Sequence, residues 1–380
     1  MKNRLAKVIF AVNTSYPTQK AYGVTIGRSA EAMNDLGFDT EIWSAYFEGR
    51  DEFGNEVKAL FDRKTIKFID YIYSHNEKIG FLIQSLLFLL LTLNKLLRTR
   101  GKYLLWSRDL PTVALASYLR KSSLHLLEVH HPVKAYNKKV LNKFLKKANF
   151  EVGFINEKLK SNSLTIYTEQ KSFLLPMAAS KDFYAPLKTK EFLETLSVCY
   201  VGKGLSSGHD NGLKEVLKSI KRCQEKNLKL QFTFVGIEEE YQSVLKQIKN
   251  DYQISDTYLK FLGHVNHSDI PSIMRNFDLG LVPYPSNSYN DSRFPIKLVE
   301  YCASGVIPVM SNTRNHRVLI GSDAAIFYDA ESSESLPFIL ERISVNFDLN
   351  SLRKNGQEWA KQYTYQRRVV SALNQFGLSK

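Results

Sequence analysis

The chain has 380 residues, 44% hydrophobic, 12% aromatic and 24% charged, a globular composition that excludes a disordered or fibrous chain. That length suits two sheet domains of about 150 to 200 residues each. Lys and Arg number 52 against 38 Asp and Glu, a net charge of +14, which favours an anionic partner: a phosphorylated small molecule, an acidic membrane or nucleic acid. Three scattered cysteines, Cys199, Cys223 and Cys302, exclude a disulfide framework or a cysteine zinc cluster and point to a reducing compartment.

In chain order, Lys7 to Asn13 is a continuous apolar strand, too short and without the cleavage pattern of a signal peptide. We therefore expect a cytoplasmic protein. A loop over Thr14 to Gly23 leads to an amphipathic helix from Thr25 to Leu36, ended by Gly37 as a C-cap. Asp39 to Ser44 closes a strand–helix–strand unit, the mark of a parallel sheet. Phe81 to Leu97 is the one segment that resembles a membrane span, but Gln84, Ser85, Thr92, Asn94 and Lys95 interrupt it. It reads as a buried or membrane-dipping helix. Tyr103 to Trp106 and Leu124 to Val129 are further strands. Asn137 to Phe150 reads as a helix with one apolar stripe (Val140, Leu141, Phe144, Leu145, Ala148) and lysines elsewhere, the make-up of a helix lying on an anionic lipid surface.

A second alternating series begins at Leu196. Strands are expected at Leu196 to Val201, Leu230 to Val235, Tyr258 to Leu262, Leu279 to Val282, Ile307 to Met310 and Ala325 to Phe327. Helices are expected at Leu213 to Lys226, Glu238 to Asn250 and Ile270 to Arg275, with one long final helix from Leu352. The break near Leu175 to Lys190, with Pro176 and Pro186, separates two doubly wound Rossmann-like α/β domains: residues 1–182, completed by a C-terminal helix at about 360–380, and residues 190–358. In such sheets ligands bind at the carboxyl ends of strands, so two of them facing across a cleft would each hold one ligand.

The most informative segment runs from Asp291 to Gly305. Pro295 suits the first position of a helix and Gly305 its end. Lys297 then lies in the first turn, where a cation opposes the helix dipole. An anion at the helix start removes the conflict. Glu300 shares a face with Lys297 and could accept from a ribose 2′- and 3′-hydroxyl; phosphate beside ribose describes a nucleotide diphosphate. By spacing alone an ordinary surface Lys–Glu pair fits equally well.

Pro295-Ile-Lys-Leu-Val-Glu-Tyr-Cys-Ala-Ser-Gly-Val-Ile-Pro-Val309 closely resembles the donor-binding segment of retaining GT-B glycosyltransferases of the group 1 or family 4 type, which build bacterial polysaccharides and lipid-linked sugars. The resemblance implies that Lys297 binds the donor phosphate and Glu300 the ribose, with Ile296 and Leu298 alongside. Tyr200-Val-Gly-Lys-Gly204 resembles the family's glycine-rich loop, giving Gly202 and Lys203 to the diphosphate. Phe261-Leu-Gly-His-Val265 resembles the segment whose backbone contacts the nucleobase, giving His264 and Val265. Tyr22-Gly-Val-Thr25 resembles the N-terminal loop that approaches the phosphates, giving Gly23. The pattern departs at Ser292, where many members carry a second glutamate beside the transferred sugar; Asp291 and Arg293 flank it and could contact sugar or phosphate. Asn211 stands where a lysine usually precedes the loop glycine, Gly212. In the first half, Leu127-Glu-Val-His-His-Pro132 ends a strand, and the family implies a histidine near the sugar, His130 ahead of His131.

What the resemblance implies is a retaining, metal-independent hexosyltransferase: a sugar passes from a nucleotide diphosphate sugar, UDP- or GDP-linked, to a hydroxyl of a glycan or lipid-linked acceptor in polysaccharide or lipopolysaccharide synthesis. No cofactor is expected, and the protein would sit peripherally on the inner face of the cell membrane. The alternatives are a nucleotide-sugar epimerase of the same fold, and a nucleic-acid-binding protein, for which no basic-aromatic motif appears.

Overall fold

A computed structural model describes residues 5–18, 20–132, 141, 145–184, 186–187, 191–192, 194–206, 208–287, 289–343 and 347–378. The chain forms two compact units, Met1–Pro176 with Tyr365–Lys380, and Met177–Thr364. The first therefore stops six residues short of the expected 182, and residues 183–189 go with the second.

In the first unit the order is β1 (Lys7–Val12), α1 (Ala21–Asp35), β2 (Thr40–Ser44), β3 (Gly49–Arg50), β4 (Glu56–Ala59), α2 (Arg63–His75), α3 (Glu77–Arg98), β5 (Tyr103–Ser107), α4 (Leu110–Leu119), β6 (Leu124–Val129), β7 (Glu151–Phe154), α5 (Glu157–Ser163) and β8 (Ser172–Leu174). The sheet order is β3-β4-β2-β1-β5-β6-β7-β8, parallel except for the β3–β4 pair. Apolar runs such as Val8–Val12 and Leu104–Trp106 are buried along their whole length, as strands covered on both faces must be. Because β1 lies between β2 and β5, the strand order reverses there, and a crevice opens at the carboxyl ends of β1 and β5.

Three expectations change here. The first helix starts at Ala21, not Thr25, so Tyr22 to Thr25 form its first turn and not a loop. Gly23 is needed at that point for packing: a Cβ there would stand 2.4 Å from the Thr18 carbonyl oxygen. Phe81 to Leu97 lies within α3, whose inner face packs through Phe88 and Leu96 with Ile9, Trp43 and Leu105 but whose outer face is bare. Half of the lysine-rich helix expected over Asn137 to Phe150 lies outside the described residues; in the other half it does not reach Phe150, since Lys146 and Lys147 form a turn and residues 148–150 are irregular.

In the second unit, β9 (Leu196–Val201) is followed by the short hairpin β10 (Leu205–Ser206) and β11 (His209–Asp210), then α6 (Leu213–Glu225), β12 (Leu230–Val235), α7 (Glu239–Asp251), β13 (Leu259–Leu262), α8 (Ile270–Met274), β14 (Leu279–Val282), α9 (Ile296–Ser304), β15 (Ile307–Ser311), α10 (Arg314–Leu319), β16 (Ile326–Tyr328), α11 (Ser335–Glu341) and α12 (Leu349–Ala360). The parallel sheet runs β13-β12-β9-β14-β15-β16, with Val198, Phe232, Leu281 and Val309 in its core. Its reversal falls between β9 and β14, both of which feed the glycine-rich and α9 segments.

The final helix is two. Helix α12 ends at Ala360, and α13 (Tyr365–Gln375) belongs to the first unit. The turn between them is pinned by Ala179, which pairs with Thr364 and donates to the Tyr363 carbonyl at 3.0 Å.

Candidate functional site

Pro295, expected at the first helical position, proves to be the N-cap of α9, one place before the first helical residue Ile296, and makes no side-chain cap; no acidic residue lies in the first turn, and Gly305 ends the helix at φ +73°. The helix start therefore lacks the carboxylate that would normally answer its free N–H groups. Lys297 projects beside it onto the face of Tyr200, 3.5 Å from the ring centroid, with Tyr284 at 5.4 Å. Its Nζ would be 3.1 Å from a Cβ on Gly202, so the glycine-rich loop runs against the ammonium. Among the described residues Lys297 has no ion pair. Burial, and then Arg293, hold its pKa well below the ordinary lysine value. Glu300 is one turn on, with His267 Nε2 at 4.0 Å, and burial pushes its pKa up to about 7 despite the opposing pull of Lys297. Both groups are thus held where their charged forms lack solvation, and a ligand bearing negative charge and hydroxyl donors would stabilise both charges.

The neighbouring helix start is treated differently. Helix α6 follows Gly212, whose φ is +92° and where a Cβ would fall 2.0 Å from the Pro283 carbonyl oxygen, so only glycine fits. Asp210 accepts from the N–H groups of Leu213 and Lys214 at 3.1 and 3.4 Å and from the Tyr241 hydroxyl at 2.7 Å. This helix start is already neutralised. Asn211, in place of the family's usual lysine, is buried, donating to the Tyr200 hydroxyl at 3.2 Å and accepting from Arg293 at 3.0 Å. Arg293 also donates to Asn290 and Ser206 and stacks on Tyr284, so its guanidinium knits the loops around Lys297. Ser292 is buried and donates to the Tyr289 carbonyl at 2.9 Å, and the Ser286 hydroxyl reaches Asp291 at 3.5 Å.

The other expected donor residues of this unit lie on the loops after β9 and β13 and along α9. Lys203 pairs with Glu238 at the surface, each about half exposed; its loop meets Lys297 through Gly202. His264 is exposed and Val265 half-buried in the loop after β13, which Gly236 anchors by donating to the Leu262 and Gly263 carbonyls. Ile296 is half-buried at the helix start, whereas the Leu298 side chain is fully buried, leaving only its backbone for a ligand.

In the first unit a pocket of about 260 Å³ lies at the carboxyl ends of β1, β5 and β6, lined by Val12, Asn13, Ile26, Phe81, Trp106 and Arg108 among others. At its floor the buried Glu128 accepts from Trp106 Nε1 at 2.7 Å and Arg108 at 2.8 Å, bonds His130 Nε2, and lies 2.8 Å from Arg368 of α13. The cations hold the carboxyl well below its ordinary pKa against its burial. Burial and the same arginines lower His130 to about 4, so its ring is neutral near pH 7. With an ionised acceptor at Nε2, the proton sits there, and Nδ1 is the acceptor. His131 is exposed. Glu128 and Arg368 escaped sequence reasoning. The one available signal was a lone acid in an apolar strand, two places before His130 and so on the same face.

Residues 194–359 match the family described as glycosyl transferases group 1. No curated protein matches the chain. Among solved structures, a glycosyltransferase from Rickettsia africae is similar at 14% identity over 98% of both chains, TM-score 0.71. HepE from Anabaena, in complex with UDP and glucose, is similar at 13% identity over 98% of this chain and 99% of that one, TM-score 0.69. Sucrose-phosphate synthase from Thermosynechococcus elongatus is similar at 13% identity over 98% of both, TM-score 0.66. The chain therefore has the GT-B fold, and within it residues 194–359 match the glycosyl transferases group 1 family.

Proposed function

We propose that the chain transfers a sugar from a nucleotide diphosphate sugar to an acceptor hydroxyl with retention at the anomeric carbon. The observation that carries this reading is the start of α9 without a side-chain cap, with Lys297, which has no ion pair among the described residues, against Gly202 and a Glu300 of raised pKa one turn on. The helix N–H groups and Lys297 would hold the diphosphate and Glu300 the ribose, so charge developing on the leaving group is met without a metal. As the bond from C1 to the diphosphate oxygen breaks, the departing oxygen takes the acceptor's proton and the acceptor oxygen bonds C1 on the same face. The neutral His130, offering Nδ1, would hold a sugar or acceptor hydroxyl. The protein contributes positioning and charge stabilisation. A UDP-linked donor is the first choice because HepE was solved with UDP and glucose. For the acceptor we propose a glycan or lipid-linked molecule of a cell-surface polysaccharide, reached from the cytoplasmic side.

Thermal-shift titration with UDP, GDP, ADP and their sugar conjugates tests the donor site. One nucleotide should raise the melting temperature of the wild type, and Lys297→Ala should weaken its binding about tenfold to a hundredfold, the worth of a hydrogen bond to a charged group. No shift with any nucleotide at millimolar concentration would refute the donor site.

A further inference from the structure

Helix α3 is patterned inside out. Its buried positions are Gly80, Gln84, Phe88, Thr92 and Leu96, and at 100° per residue the opposite side carries Ile79, Leu82, Leu86, Leu90 and Leu97. Leu82 is 68% exposed, Leu86 54% and Leu90 53%. Two polar residues, Gln84 and Thr92, face inward. Gln84 donates to the Asn13 carbonyl and accepts from the Tyr46 and Tyr73 hydroxyls, while the Thr92 hydroxyl is buried with no hydrogen-bond partner among the described residues. A helix built to face water would place these residues outward and the leucines inward. Phe68 and Tyr71 of α2 extend the bare surface, so that of the fifteen exposed large hydrophobics among the described residues eight lie on this helix pair and the other seven are spread over the rest. Scattered exposed leucines need no explanation; a contiguous patch marks an interaction site.

Charge selects the occupant. Residues 62–102 hold eight Lys and Arg against three Asp and Glu, and Arg63, Lys64, Lys67, Lys78, Arg98 and Arg100 are exposed. A second copy of this chain would bring the same positive charge to the patch, whereas an anionic lipid surface complements both the cations and the leucines. Helix α3 is long and apolar enough to cross a membrane, with 28% of its apolar window buried, but Phe88 and Leu96 in the sheet core hold it along the domain. It would lie in the membrane interface.

We infer that the outer face of α3, flanked by the cations of α2 and the α3–β5 turn, docks the N-terminal unit on an anionic bilayer and delivers a lipid-linked acceptor to the pocket above β1. Phe81 ties the two together, since it is exposed on α3 and also lines that pocket. The acceptor class rests on the glycosyl-transfer reading; the docking surface stands without it.

The test is co-sedimentation of the full chain with vesicles of equimolar phosphatidylcholine and phosphatidylglycerol, and with phosphatidylcholine alone. The wild type should pellet with the anionic vesicles. The combined Leu82→Glu, Leu86→Glu, Leu90→Glu variant should lose at least about tenfold in binding, and Arg63→Ser, Lys64→Ser, Lys67→Ser about fivefold per cation. Each variant's unchanged nucleotide-induced thermal shift and circular dichroism would show that it folds. The inference is overturned if the wild type stays in the supernatant, or if light scattering shows a dimer that the leucine variant dissociates, which would assign the stripe to a second copy. Vesicle binding without any nucleotide shift would remove the donor reading and leave the docking surface in place.

Discussion

Glu128 in the N-terminal unit and Glu300 in the C-terminal unit are both carboxylates withdrawn from water at a strand end or helix start, yet the chain surrounds them in opposite ways. Glu128 is ringed by Trp106, Arg108, His130 and Arg368, and its pKa falls. Glu300 has Lys297 one turn back and His267 Nε2 only at 4.0 Å, and its pKa rises to about 7. A buried charge answered by the protein itself holds structure in place. One left under-solvated beside an equally under-solvated cation is poised for a ligand. The two helix starts of the C-terminal unit repeat the contrast, since α6 is closed by Asp210 and α9 is open.

The largest effect expected from this contrast is on Glu128. Glu128→Ala leaves Arg108 and Arg368 facing each other without their counter-charge and should cost about 3–5 kcal/mol of stability, read as a lower melting temperature, while nucleotide binding to whatever remains folded is unchanged. An unaltered melting temperature would mean that the arginines find other partners and the comparison fails. The intermediate effect is on pH dependence. If Glu300 meets a ribose as an anion, as proposed, it must first lose its proton, so wild-type nucleotide affinity should fall about tenfold from about pH 8 to about pH 6, beyond the dependence that Glu300→Gln retains. Equal pH profiles for the two proteins, measured by calorimetry, would show that Glu300 does not meet the ligand as an anion. The stability linkages have opposite signs. Raised above its unfolded value, Glu300 contributes stability below about pH 4.5 that is lost as pH rises through about 7. Glu128, depressed, contributes stability above its unfolded pKa that is lost on acidification. The smallest effect is on the closed helix: Asp210→Ala should cost about 1 kcal/mol, the worth of a helix cap, with no change in nucleotide affinity; a loss of nucleotide binding would show that α6 shares the site.

Where the sequence was legible, one physical signal dominated. Leu124–Val129, Leu196–Val201, Leu230–Val235 and Leu279–Val282 are mainly apolar stretches bounded by polar residues, glycine or proline, and their bounds match the strands. Lys297 and Glu300 stood out because their spacing on one short helix is a local property. The edge strands β3 and β4 were not legible, because two to four residues at a sheet edge have no periodicity to read. Nor was the Arg368–Glu128 contact, made across most of the sequence, or the Tyr200 and Tyr284 rings around Lys297, which only the sheet's strand order brings together. The orientation of α3 was hidden for another reason. Leucines occur all around it, so composition says that it is apolar but not which side the domain covers.

The return of α13 to the N-terminal unit has a consequence for how the protein is made. Arg368 donates to the Pro176 carbonyl and to Ser29 and sits beside Glu128, yet a ribosome adds it after every residue of the other unit. The N-terminal unit is the first to be synthesised and the last to be completed. Until α13 arrives, the floor of its pocket holds a buried carboxylate with one arginine in place of two, and the surface of α1 that α13 covers is open. The pocket of the N-terminal unit is finished only when the whole of the other unit has already been built.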